Sequence, residues 1–407
     1  MYRNMIACKQ EINIKNNRSC PVCASVKCES LGNQKFAIPK GHPLPQEYNI
    51  VSCRRCGFVY ADTPAIQENY NKYYREFSKY EDLKISSGGG INKWDLIRLR
   101  DATGFISRFL KNKSRSILDI GCANGGLLSE LKKRGYSNLY GIDPSPKCVS
   151  NVNKLGIKAS RGDIFSVTKN VKERKFGCII LSHVLEHICD LNLAINNTAS
   201  ILDKDGMLYI EVPDAANYSE CHVVPYYYFD CEHINHFDIA ALDNLLLSKG
   251  FERLGFREKR LRFINKFYPV ISAVYLKNPV SSVRAVSPDF RTKNIVKRYI
   301  AESMKKNTYP QISKLIKGRQ EIVVWGAGSF TLRLMENNKL AQCNIKCFVD
   351  NDAKKYGSSI NNIPICPPLE ILNNFRGPIL ICSALYSKEI VIQIKRMGLD
   401  NEIVVLN

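Results

Sequence analysis

Four cysteines stand in two pairs, Cys20-Pro-Val-Cys23 and Cys53-Arg-Arg-Cys56. A two-residue spacer lets both sulfurs of a pair reach one ion, and two such pairs make the thiolate set of a tetrahedral structural zinc site. Gly57 suits the tight turn behind the second pair. A segment this small has little core of its own, so the metal would hold it together. Residues 24–52 then form a hairpin-rich insert. Cys8 and Cys28 are the spare thiols, and His42 reads as a loop residue.

A second set of residues suits ligand binding and proton transfer. Asp119 and Gly121 end a short apolar run, followed by Asn124 and Gly125. Glycines let the backbone approach a ligand closely. Asp143 ends the next apolar run, where an acid can accept both hydroxyls of a ribose. Asp163 and Ile164 follow, placed to close over an adenine. His183, Glu186 and His187 come after a further apolar run, and Glu232-His233 lies in the stretch from Phe229 to Phe237. Histidine changes charge near neutrality and is the usual proton acceptor. Later, Gly326-Ala-Gly328 resembles a phosphate cradle at a helix N-terminus, or a plain structural turn.

Residues 116–120, 139–143, 176–181 and 206–213 are short apolar strands, separated by helical patterns such as Trp94–Leu110. That alternation predicts an α/β fold with a doubly wound parallel sheet. Ser86–Gly90 is a flexible turn before it. The helix around Glu68–Ser78 carries Tyr73 and Tyr74, as packing residues or as a wall of the substrate pocket. After a basic helical connector over 285–318, residues 321–325, 345–349, 378–382 and 403–406 predict a second, Rossmann-like α/β unit. Three domains result, at 1–84, 85–284 and 285–407.

The ordered set Asp119-x-Gly121, Gly141-Ile-Asp143, Gly162-Asp163 and Val184-Leu-Glu186-His187 resembles the class I S-adenosylmethionine-dependent methyltransferases over roughly residues 90–280. Ala123 stands where that family often has glycine. The resemblance implies that Asp119, Gly121, Asn124 and Gly125 line the methionine end of the cofactor. It gives Asp143 the ribose, and Asp163 with Ile164 the adenine. With the cysteine module, the Glu232-His233 pair and the C-terminal α/β unit, the chain resembles the sugar C-methyltransferases. That likeness implies a nucleotide-activated sugar as substrate, in deoxysugar or surface-polysaccharide biosynthesis. Catalysis falls on His187, Glu232 and His233, and substrate binding on Tyr73 or Tyr74 and on Gly326 and Gly328. The family's tyrosine two residues before the glutamate is Asp230 here, which leaves O-methylation open beside C-methylation.

Composition sets the bounds. The 407 residues are 45% hydrophobic and 24% charged, enough for packed cores and inconsistent with a disordered or collagenous chain. No apolar run has membrane-spanning length and no signal-peptide pattern is present, so the expectation is a cytoplasmic protein with reduced thiols among its 16 cysteines. The net charge of +21 points to an anionic partner. A pyrophosphate-linked sugar satisfies it. The alternative is a nucleic-acid methyltransferase, disfavoured because the basic residues are scattered and not clustered.

Overall fold

A computed structural model describes residues 16–39, 41–77, 92–171, 174–263, 266–278, 284–371 and 375–406. The spare thiol Cys8 and the turn at Ser86–Gly90 lie outside them. Three antiparallel strands open the structure: β1 (Cys28–Lys35), β2 (Glu47–Cys53) and β3 (Val59–Asp62). The insert between the cysteine pairs is therefore a hairpin, as its length suggested.

The central sheet contains the parallel strands β4 (Ile117–Ile120), β5 (Leu139–Asp143), β6 (Lys158–Arg161), β7 (Phe176–Ser182) and β8 (Leu202–Pro213). The two-residue strand β9 (Asn235–His236) follows, then the antiparallel hairpin β10 (Phe251–Phe263) and β11 (Lys266–Lys277). The order is β10-β11-β8-β7-β4-β5-β6. The first strand, β4, lies between β5 and β7. The sheet reverses its winding there, and in such sheets the crevice at the carboxyl ends takes the ligand. Four residues buried on both faces, Ile117–Ile120, make β4 readable as a continuous apolar run. Side-chain caps start several flanking helices. Asn92, Ser145, Asp190 and Asp238 each accept from a backbone N–H in the first turn.

β9 does not join the central sheet. It pairs with β3 (Val59 opposite His236, Tyr60 opposite Asn235) and completes a four-stranded sheet with the cysteine segment. The half-buried Arg18 fastens the same seam, its guanidinium donating to the carbonyls of Ile188 and Cys189 and to Asn235 Oδ1.

Helices Arg291–Lys306 and Pro310–Gly318 lead to a third sheet: β12 (Ile322–Trp325), β13 (Ile345–Val349), β14 (Ser359–Ile360), β15 (Ile363–Cys366), β16 (Ile379–Ile381) and β17 (Ile403–Val405). Its order is β14-β15-β13-β12-β16-β17, parallel except for the β14–β15 hairpin. Ala37 and Val224 pack into its core. The buried Arg333 donates to Phe229 O and Gln34 Oε1 and lies 5.0 Å from the centre of the Phe36 ring. One side chain thus ties the third sheet to the cysteine segment and to the loop before Glu232. No helix among the described residues is long and apolar enough to cross a membrane.

Candidate active site

At the carboxyl edge of β4 the chain turns through two left-handed residues. Gly121 has φ +77°, and a Cβ there would come within 2.8 Å of Val184 Cγ2. Ala123 has φ +45°, a conformation that costs an L-residue about 1–2 kcal/mol. This explains why glycine suits the position. The turn is held by Asp143, whose Oδ2 accepts the Ala123 N–H at 2.8 Å and whose Oδ1 accepts the Ser145 N–H at 2.9 Å. Asp119 is 3% exposed. Burial, then the neighbouring Asp143, pushes its carboxyl up to about 8, with Arg98 opposing. Asp163 accepts the N–H groups of Phe165 and Ser166, which folds its turn so that Ile164 faces inward.

These groups border a cavity of ≈ 510 Å³ lined by Asp119, Gly121, Ala123, Asp143, Asp163 and Ile164, among others. Two expected members do not line it. Asn124 is buried elsewhere, its Oδ1 accepting from Asn151 at 2.8 Å. Gly125 caps helix Gly126–Lys133 at φ +75°, close against Val152.

The opposite wall is built from histidines and carboxylates. His187 sits in the single turn Leu185–His187, its Nδ1 3.0 Å from the Glu232 carbonyl. A carbonyl only accepts, so Nδ1 carries the proton and Nε2 offers the lone pair. Glu232 is buried behind this wall and does not line the cavity. Its carboxylate accepts from Tyr73 OH at 2.7 Å and Tyr74 OH at 3.2 Å. Both candidate tyrosines therefore meet the same acid, but only Tyr74 reaches the cavity. The His233 ring centre is 4.9 Å from that of His187. Burial, then the neighbouring His187, holds His233 below its ordinary value.

His183, in left-handed backbone at φ +56°, is gripped from both sides. Its Nδ1 is 3.0 Å from Glu186 Oε1 and its Nε2 3.5 Å from Glu211 Oε1. Burial alone would lower its pKa, but the two carboxylates outweigh it and raise it. Glu211 is fully buried, and burial would raise it. Lys259, His183 and Arg98 instead hold it well below the carboxylate range. Arg98, Glu211, Tyr227, Tyr228 and Tyr268 were missed by sequence reasoning. One signal was available, a lone charge in the otherwise apolar strand Leu208–Val212.

The four paired cysteines bring their sulfurs within 4.8 Å of one another, with Cys20–Cys56 at 3.6 Å and Cys23–Cys53 at 3.5 Å. Tetrahedral zinc–thiolate geometry puts sulfurs about 3.8 Å apart, so the set fits a zinc ion. Cys28 is not part of it, since its Sγ donates to Asn16.

Gly326 and Gly328 do not reach the cavity. Gly326 has φ +109°, and a Cβ there would lie 2.6 Å from the Cys382 carbonyl oxygen. The turn is shaped by packing. The third sheet enters the site elsewhere, through Leu385 and Tyr386 after β16. Ser329 Oγ also donates to Asp230 Oδ2 at 3.3 Å.

A family model described as "Methyltransferase domain" matches residues 94–254, and one described as "C2185-like, N-terminal" matches residues 318–405. The ubiquinone biosynthesis O-methyltransferase of Pelagibacter ubique is 33% identical over 104 residues, 24% of this chain and 42% of that protein. That of Coxiella burnetii is 27% identical over 155 residues, 36% of this chain and 64% of that protein. The chain thus spans less than two thirds of the curated relatives it matches. Among solved structures, the N-methyltransferase NodS of Bradyrhizobium japonicum with S-adenosylhomocysteine is 17% identical, with a TM-score of 0.38 over 52% of this chain and 98% of that one. The [4+2]-cyclase SpnF is 14% identical, with a TM-score of 0.42 over 52% and 96%. From the matched family model, the strand order and the acid-x-glycine turn, residues 94–254 are a class I S-adenosylmethionine-dependent methyltransferase domain.

Proposed function

We propose that this chain methylates a nucleotide-activated sugar, at a hydroxyl oxygen or at a carbon beside a ketone, and carries a structural zinc ion on Cys20, Cys23, Cys53 and Cys56. One observation carries the reading. Tyr73 and Tyr74 bond the Glu232 carboxylate and His187 bonds the Glu232 backbone carbonyl, so three separate stretches of chain meet at one residue beside the cavity that Asp119 and Asp143 border. S-adenosylmethionine supplies a methyl group on a positively charged sulfonium. Asp143 would hold its ribose, Asp119 its cationic amino-acid end, and Asp163 with Ile164 its base. His187 Nε2 takes the proton from the acceptor, and Tyr74 with Glu232 fixes the ring. Arg262 and Lys266, at the tip of the β10–β11 hairpin, line the cavity and suit the substrate's phosphates. Leu385 and Tyr386 give the C-terminal, Rossmann-like unit a part in enclosing it.

His187→Ala is expected to lower kcat about 10²–10³-fold, the usual worth of a positioned base, with KM and S-adenosylhomocysteine affinity little changed. Turnover measured with labelled cofactor against a panel of nucleotide sugars checks this. An unaffected kcat removes His187 from the chemistry. A panel in which only catechols are methylated moves the acceptor toward that of the named relatives. Salt-sensitive binding of RNA or DNA would favour a nucleic-acid acceptor.

Asp119 adds a pH dependence. Its folded pKa of about 8 lies above the ordinary 3.8, so the folded state holds its proton between those values. Its contribution to stability is therefore lost as pH rises through that window to about 8. A cation bound beside it favours the carboxylate. Cofactor binding at pH 7 should then release a proton, and affinity should rise with pH and level off above about 8. Calorimetry in two buffers of different ionisation enthalpy reads the proton directly. Equal heats in both would reject this role for Asp119.

A further inference from the structure

We propose that Glu186, His187 and His233 form a second metal site, for a divalent transition-metal ion, in the acceptor half of the cavity. Ligand atoms of the three lie within 4.8 Å of one another, and all three residues line the cavity. Two imidazoles and one carboxylate with an open side are the donor set of Fe²⁺, Mn²⁺, Co²⁺ and Zn²⁺ sites that keep positions for a substrate.

Two further observations separate this from a chance cluster. Glu186 is 1% exposed; its Oε1 lies 3.0 Å from His183 Nδ1 and 4.0 Å from His187 Nε2, and its Oε2 is buried without a hydrogen-bond partner. A buried, unpartnered carboxylate oxygen calls for a compensating charge, which a cation held by this group would supply. His187 also has the outer partner typical of a ligating histidine, since Nδ1–H donates to a backbone carbonyl and turns Nε2 inward. That carbonyl belongs to Glu232, itself pinned by Tyr73 and Tyr74.

The inference rests on reading this cavity as the acceptor pocket, and it changes what His187 contributes. An ion held there would take Nε2 as a ligand in place of its role as base, and would supply Lewis-acid chemistry that makes an acceptor hydroxyl easier to deprotonate by solvent.

The test uses the full chain with its cysteine site filled by zinc, because hard Mn²⁺ competes poorly for thiolates. Electron paramagnetic resonance titration is expected to show one saturable Mn²⁺ per chain. Glu186→Gln and His233→Ala should each weaken it at least 10-fold while S-adenosylhomocysteine binding persists. No saturable Mn²⁺ or Co²⁺ binding to the wild-type chain overturns the site, as does equal binding by both variants. Methyl transfer that continues without such binding would leave the proposed function standing and the metal site refuted.

Discussion

Asp143→Ala is expected to weaken S-adenosylhomocysteine binding about 10²–10³-fold without unfolding the chain. Each hydrogen bond to a charged group contributes about 1.5–3 kcal/mol, and a ribose diol would make two to this carboxylate. Both oxygens also accept backbone N–H groups, from Ala123 and Ser145, which fix the carboxylate at the edge of the cavity. The substitution removes more than a ribose contact. The Ala123 N–H would lose the acceptor that holds its residue at φ +45°, so the turn beside the ligand relaxes. Asp143→Asn keeps one acceptor oxygen and should fall between wild type and alanine. S-adenosylhomocysteine lacks the sulfonium charge, so the measurement isolates the ribose from effects at the cofactor's sulfur. Calorimetry with a thermal melt as the folding control suffices. Affinity within twofold of wild type would place the cofactor elsewhere.

Legibility in the sequence followed distance along the chain. The acid-x-glycine turn after β4 and the acid ending β5 are local patterns on short apolar strands, and they read directly. The partners of Glu232 do not, because Tyr73 and Tyr74 lie 159 and 158 residues away. A tyrosine on an amphipathic helix looks the same whether it faces a core or an acid. β9 is two residues long and pairs with a strand of the cysteine segment, so no periodicity announces it. Glu211 is hidden because its charge is neutralised by groups from three other elements, Arg98, His183 and Lys259. The Gly326–Gly328 turn left two readings open. A glycine that gives way to a crossing carbonyl leaves the same trace in the sequence as one that makes room for a phosphate.

Cys53→Ser should abolish methyl transfer while leaving most of the cofactor affinity, and the reason is the strand pairing. Cys53 ends β2 and is fully buried, with its sulfur 3.5 Å from Cys23. Zinc at such sites contributes about 10–16 kcal/mol of apparent binding energy in small peptides, and that energy is folding energy. With the proposed zinc ion in place, losing Cys53 as a ligand would therefore loosen β1–β3, the sheet on which β9 rests. β9 begins two residues after His233, and Ile234 donates its N–H to Glu186 O and gives its carbonyl to the Ala61 N–H. Slack in the cysteine segment thus passes straight into the histidine–glutamate wall, where misplacement by about 1 Å can cost about 10²-fold in rate. The cofactor side is anchored on β4 and β5, away from this seam, so S-adenosylhomocysteine affinity should change far less than turnover. Cys28→Ser is the matched control, since that thiol bonds Asn16 and stands outside the four. Metal analysis should find about one zinc per wild-type and Cys28→Ser chain and little in Cys53→Ser. Full activity in a zinc-free Cys53→Ser chain would detach the cysteine site from the chemistry, because the path through β3 and β9 would then carry no strain to His233.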